Sequence, residues 1–202
     1  MKREEIIKEI VLAEWDFFDK TKNEGGRASC QNNFPVFSVM RKSQYMTWPD
    51  EMLQIYLEHL RVCKSQGRNL ITEKYGRMME STAPEAYDKI KAAFPVLSPE
   101  RVQIQEAIVG IQVGWMEAFA AKYPKMAGNA RSIHTAEDTE YNTSYETYLR
   151  GELGTYSDEL MEAYGRFIVT LAQEGKNLAY ETMENTAHLY GYKDVPEAEE
   201  KL

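Results

Sequence analysis

Cysteine and histidine are scarce in this chain of 202 residues, which has two cysteines, Cys30 and Cys63, and three histidines. Two thiols build neither a disulfide framework nor a four-thiolate metal site. A ferritin-like centre needs paired Glu-x-x-His helices, and none is present, since Glu184 precedes His188 by four residues and His59 lacks such a glutamate. Neither a metal nor a cofactor is implied. Cations are also in deficit, with 24 Lys and Arg against 32 Asp and Glu, a formal net charge of -8. That balance argues against a nucleic-acid coat or a surface docking on anionic lipid, both of which need clustered Lys and Arg. Long apolar runs are missing too. The longest, Ala107 to Ala121, contains Gln112 and Glu117 and is too short to span a bilayer. The N-terminus carries no apolar h-region, so the chain reads as cytosolic, with no membrane partner.

Hydrophobic residues make up 43% of the chain, enough to bury a core. Their period is helical almost throughout. Ile7, Ile10, Val11, Glu14, Phe17 and Phe18 share one stripe, as do Leu53, Tyr56, Leu57, Leu60 and Cys63. No window alternates, so the fold class expected is all-α. Two stretches read as polar and irregular, Thr21 to Asn33 and Pro124 to Thr143.

Comparing the chain with itself reveals an offset of 108 residues at which Gln44–Glu73 lies over Glu152–Glu181 without a gap. Eight of the thirty positions are identical: Thr47/Thr155, Asp50/Asp158, Glu51/Glu159, Tyr56/Tyr164, Gly67/Gly175, Asn69/Asn177, Leu70/Leu178 and Glu73/Glu181. Unrelated sequences would share about two. Upstream, Trp15 resembles Trp115 and Gly25…Ser29 resembles Gly128…Ser132. The reading is a single domain, 1–202, of two pseudo-repeated helical halves, 1–97 and 98–202.

The repeated residues have local work to do. Thr47-x-x-Asp50 and Thr155-x-x-Asp158 resemble capping boxes, and Pro49 suits a first helical turn. In Gly-Arg/Lys-Asn-Leu the glycine suits a left-handed helix end and the asparagine caps the next helix. Thr143-x-x-Glu146 reads as a further capping box.

Candidate chemistry gathers at a few points. The helix Gln103–Lys122 is apolar almost all round and reads as the central helix, with Gly110 and Gly114 inviting close approach of another helix. Gln112 and Glu117 there, and Glu14 on the first helix, are polar groups expected to be partly buried and in need of partners. Inward carboxylates serve acid–base work or pair with an arginine such as Arg27, Arg41, Arg131 or Arg150. The loop Asn23–Asn33 is dense in polar groups: Gly25 and Gly26 free the backbone, Arg27 would clamp a carboxylate or phosphate, and Gln31 lies beside it. Cys30 is the better nucleophile of the two thiols, because Cys63 falls on an apolar stripe. His134 is the one histidine in a comparable loop, and a Cys30/His134 pair across the two halves is conceivable. Near residue 150, Arg150 and Glu152 stand out.

Five strings taken together carry a resemblance: Glu14-Trp15-x-x-Phe18, the Gly25–Gln31 loop, Gly67-Arg68-Asn69-Leu70-x-x-Glu73-Lys74-Tyr75, Gln112-Val113-Gly114-Trp115 and Tyr148-Leu149-Arg150-Gly151-Glu152. The chain resembles, over nearly its whole length, a bacterial domain-of-unknown-function family, number 4125. The resemblance implies a cytosolic bacterial protein and brings no established activity or catalytic residues.

The functional expectation is a polar, arginine-containing pocket between the halves that binds an anionic small molecule. Its binding residues would be Arg27, Gln31, Arg131, Arg150, Glu14 and Glu152. Whether it is an enzyme stays open, with Cys30, His134 and Glu117 as the catalytic candidates. The alternative is a protein–protein interaction module without chemistry, a homodimer included, for which thirteen tyrosines and ten methionines would suit an adaptable face.

Overall fold

The computed structural model describes residues 1–22 and 26–202. Among them there is no strand, and eleven α-helices follow one another. They are α1 (Arg3–Lys20), α2 (Phe34–Tyr45), α3 (Asp50–Ser65), α4 (Leu70–Thr82), α5 (Pro84–Ile90), α6 (Pro99–Lys122), α7 (Pro124–Gly128), α8 (Tyr145–Leu153), α9 (Asp158–Gln173), α10 (Leu178–Leu189) and α11 (Val195–Lys201). The two stretches expected to be irregular are partly helical. Ser29–Asn32 and Thr135–Glu137 form 3-10 turns, and α7 opens the second stretch with Pro124 in its first turn.

The joints follow the capping logic in part. Gly67 and Gly175 take φ of +70° and +68°, where a Cβ would be strained. The Asn69 side chain accepts from Ile71 and Thr72 N–H, and that of Asn177 from Tyr180 N–H, so both asparagines cap as expected. The threonines do not. Thr47 and Thr155 donate back to the Gln44 and Glu152 carbonyls at 2.6 and 2.7 Å, closing the helices behind them. Pro49 and Ser157 occupy the N-cap positions of α3 and α9 instead. Ser144, one residue after Thr143, caps α8, and the Glu146 carboxylate accepts from Thr135 N–H rather than from its own N-cap.

Two hydrogen-bond ties recur between long and following helices. Asn69 Nδ2 donates to Phe17 O at 2.8 Å, and Asn177 Nδ2 to Trp115 O at 2.9 Å. Tyr56 OH reaches Glu14 at 2.8 Å, and Tyr164 OH reaches Gln112 at 3.1 Å. α1 packs on α2, α3 and α4, while α6 packs on α7, α8, α9 and α10. Across the chain α4 lies on α8, α10 on α2 and α3 on α9. Most buried apolar side chains form one core around Ile10, Trp48, Leu53, Leu153, Leu160 and Ile168, with a smaller cluster at Phe119, Tyr123 and Val195.

α6 is less enclosed than its composition suggests. Gln105, Ile108, Val109, Gln112 and Phe119 form its inner stripe, whereas Ile104 is 50% exposed and a Cβ at Gly110 or Gly114 would meet nothing. No described helix closes against those glycines. Glu117 lies off the inner stripe and is exposed, contrary to expectation.

Candidate functional site

The strongest electrostatic feature is internal. Glu14 on α1 falls on an apolar stripe and is fully buried. A bare carboxylate there would be very costly, and four donors surround it. Arg41 supplies Nε and Nη2 at 2.8 and 2.6 Å, and Tyr45 and Tyr56 supply hydroxyls at 2.6 and 2.8 Å. Arg41 also reaches Glu152 on α8, at 3.1 and 3.2 Å, so one guanidinium bridges two carboxylates. Gln44 at 2.9 Å and Tyr156 at 3.3 Å complete the Glu152 shell, with Lys74 Nζ at 3.4 Å. Burial pushes the Glu152 carboxyl up, but Arg41 and Lys74 outweigh it and hold the group well below the usual carboxylate range. The two carboxylates meet two cations, a balanced arrangement in which every member is bonded.

Lys74 links this interior to the surface. Gly151 permits the link, since a Cβ there would lie 2.7 Å from Met78 Cγ and 3.0 Å from Lys74 O. α8 can therefore sit directly on α4. Lys74 Nζ donates to Tyr148 OH at 2.7 Å. Burial opposes the ammonium, while Tyr148 and Glu152 more than offset this and keep it charged. The Arg131 guanidinium lies 4.8 Å from the centroid of the Tyr148 ring, a cation–π arrangement. Tyr75 adjoins the same group. Burial first, then Tyr148 and Cys30, push its hydroxyl up to about 12 against Lys74 and Arg131.

Arg131 also borders a cleft of about 330 Å³ between α6, α7 and the following loop, lined by Met116, Ala120, Ala127, Ile133, His134 and Glu137 among others. His134 Nε2 is 3.1 Å from Glu117, and its Nδ1 is 4.0 Å from Glu146. The loop is fixed in place. Asp138 accepts from Ser81 and Thr147 hydroxyls and from Ser144 N–H, each at 2.6 Å. Burial raises the Asp138 carboxyl, and these three donors lower it further than burial raises it. In a second hollow, about 380 Å³ at Met1, Ile6, Leu57 and Arg61, the arginine pairs with Glu9 and Glu58.

Two of the three catalytic candidates, His134 and Glu117, come together, and no hydrogen bond joins Cys30 to His134 among the described residues. Of the binding candidates, Arg131 alone lines the cleft. Arg27 is engaged with Asp19 and Asn32 at the surface, and Arg150 with Glu106 and Glu146. Gln31 is buried and donates to Phe18 and Thr21 carbonyls at the end of α1. Glu14 and Glu152 are partners of Arg41, the pairing weighed from sequence for buried carboxylates. Gly25 and its neighbours Asn23 and Glu24 lie outside the described residues. Lys74, Tyr75 and Tyr148 stood in the strings that carry the family resemblance but were given no role of their own, since each follows an ordinary helical period. A further signal was Lys74 itself, a lysine four residues from Leu70 on the inward face.

No group of three or more His, Cys, Asp or Glu among the described residues is placed to hold a metal. No described helix is long and apolar enough to cross a membrane. A family model described as a protein of unknown function (DUF4125) matches residues 4–200. No curated protein and no solved structure matches the chain.

Proposed function

The chain belongs to the DUF4125 family, and we propose that it is a binding module for a small anionic molecule, held in the cleft beside α6. One observation carries this reading. Among the described residues every arginine except Arg101 and Arg131 has a carboxylate within 4.0 Å. Arg101 is buried and donates to the Leu153 and Tyr156 carbonyls. Arg131 is exposed, borders a cleft and has only a carbonyl, Thr143 O at 3.1 Å, as hydrogen-bond acceptor. In a chain of net charge -8, an arginine left without a carboxylate is a receptor for someone else's.

Arg131 takes the carboxylate or phosphate, and Met116, Ala120, Ala127 and Ile133 receive the apolar body. His134, held by Glu117, is the group suited to move a proton should the ligand be turned over. Cys30 is exposed and is not among the residues lining the cleft. Glu14, Glu152, Gln31, Arg27 and Arg150 act through the scaffold that fixes it. The test is calorimetric titration with a panel of small carboxylates and phosphate esters. Arg131→Ala is expected to weaken binding on the order of 10- to 100-fold, the worth of one charged contact. Full affinity in that variant overturns the reading.

The proposal includes a bacterial, cytosolic, single-domain protein built by duplication of halves 1–97 and 98–202. The recurring ties support the duplication, with Glu14 matched to Gln112 and Phe17 to Trp115, a register two residues from the Trp15/Trp115 match. A second reading, a protein or self-association face, is favoured by the open side of α6 around Ile104, Gly110 and Gly114. A strict monomer in sedimentation, with no change on Ile104→Glu, would remove its homodimer form.

A further inference from the structure

The ammonium of Lys74 donates to the phenol oxygen of Tyr148, at 2.7 Å. A phenol that accepts this bond keeps its own proton, and that proton must point away from Nζ. No acceptor for it exists among the described residues. Tyr75 stands beside it, with its ring centroid 5.5 Å from Nζ, and its hydroxyl has no hydrogen-bond partner among the described residues either. The Arg131 guanidinium covers the Tyr148 ring. The two phenol rings thus lie beside one buried ammonium with the guanidinium on the Tyr148 ring, and among the described residues no carboxylate bonds to Tyr75, Tyr148 or Arg131. The nearest one, Glu152, is already engaged by Arg41, Gln44, Tyr156 and Lys74. Each of these groups is open to a further acceptor, and a negatively charged oxygen is the strongest one it could take.

We propose that Tyr148 and Tyr75 donate their hydroxyl protons to the oxyanion that Arg131 holds, with Lys74 as the positioning residue that turns the Tyr148 proton toward it. This deepens the proposed function and rests on it. The ligand class is a phosphate or carboxylate whose oxygens spread over three donors, two of them neutral. Tyrosine donors and one arginine select an oxyanion without the clustered lysines that the composition lacks.

The test titrates the full chain with inorganic phosphate and with acetate, by calorimetry, in wild type, Tyr148→Phe, Tyr75→Phe and Arg131→Ala. Tyr148→Phe is expected to weaken the better-bound anion roughly ten-fold or more, with a smaller loss in Tyr75→Phe. Anion addition is also expected to perturb the tyrosine ultraviolet spectrum of the wild type, and that change is reduced in each tyrosine variant. A purely structural tyrosine would leave this signal unaltered. Should Tyr148→Phe unfold, Tyr75→Phe and the spectrum still decide. Loss of binding in Arg131→Ala with unaltered affinity and spectrum in both tyrosine variants overturns this inference and leaves the proposed function standing. Absence of phosphate and acetate binding in the wild type overturns it as well, and the larger anion panel then decides whether the cleft reading survives.

Discussion

Replacing Arg41 by methionine tests the internal network directly. The side chain is buried and bridges Glu14 and Glu152, so the substitution keeps bulk and removes one charge and four carboxylate contacts. Glu14 would retain only the Tyr45 and Tyr56 hydroxyls, and Glu152 would keep Gln44, Tyr156 and a long contact to Lys74. Two buried carboxylates would share one ammonium. Breaking a buried pair by removing one partner costs about 3–5 kcal/mol, a large fraction of the roughly 5–15 kcal/mol that holds a domain together. The matched surface variant, Arg61→Met against exposed Glu9, should cost under about 1 kcal/mol. Urea unfolding at several pH values reads both. In the wild type Glu152 titrates well below the ordinary 4.5, so its contribution is complete above that value and is lost only as pH falls through the depressed range. Without Arg41, burial drives the Glu152 carboxyl upward and it takes a proton at higher pH. The gap between variant and wild type therefore narrows from pH 7 to pH 5, and Glu14→Gln added to Arg41→Met restores part of the loss. A loss under about 1 kcal/mol, or a gap that widens on acidification, would refute this account of the cluster.

Two other outcomes follow from the same geometry. Gly151→Ala puts a methyl 3.0 Å from the Lys74 carbonyl, so it should destabilise by about 1–3 kcal/mol where an exposed helical site would gain up to about 1. A stabilised variant would show that α4 and α8 are not in such close contact. Asp138 has a depressed folded pKa, so its hold on the loop is complete above the ordinary value of 3.8 and weakens as pH falls through it. Amide protection factors over 129–143, corrected for the pH dependence of intrinsic exchange, should fall on acidification in the wild type. They should be lowered already at pH 7 in Asp138→Asn, and equal protection in the two proteins at pH 7 would contradict the assignment.

The all-helical class was readable because helical periodicity repeats along the chain, and Gly67, Asn69, Gly175 and Asn177 announced two joints through backbone requirements that few residues meet. Thr47, Thr155 and Thr143 misled for a shared reason. A hydroxyl next to a helix boundary can bond backward or forward with similar ease, and Thr47 and Thr155 bond backward, while Ser144 and Ser157 cap α8 and α9 and α3 begins at Pro49 with no side-chain cap. Glu14 was legible as a misplaced charge on an apolar stripe, and Arg41 as one of its candidate partners. Lys74, Tyr75 and Tyr148 were not, because their meeting depends on how closely α8 approaches α4, a distance controlled by one glycine and by no local pattern. Arg131 was named from sequence beside Arg27 and Arg150 as a candidate anion-binding arginine, and what separates it from those two, the lack of a carboxylate partner, depends on tertiary neighbours that no local pattern gives.

The bridging of Glu14 and Glu152 by Arg41 has a consequence for how the molecule can be divided. Within this network residues 1–97 contribute Glu14, Arg41 and Lys74, one positive charge in excess, and residues 98–202 contribute the Glu152 carboxylate that cancels it. Expressed apart, each fragment would have to hydrate or expose its unmatched group. Mixed, they would recover a neutral network only by assembling in the native arrangement. The network thus acts as a lock between fragments, coupling correct assembly of the two halves to the cancellation of charge at the centre.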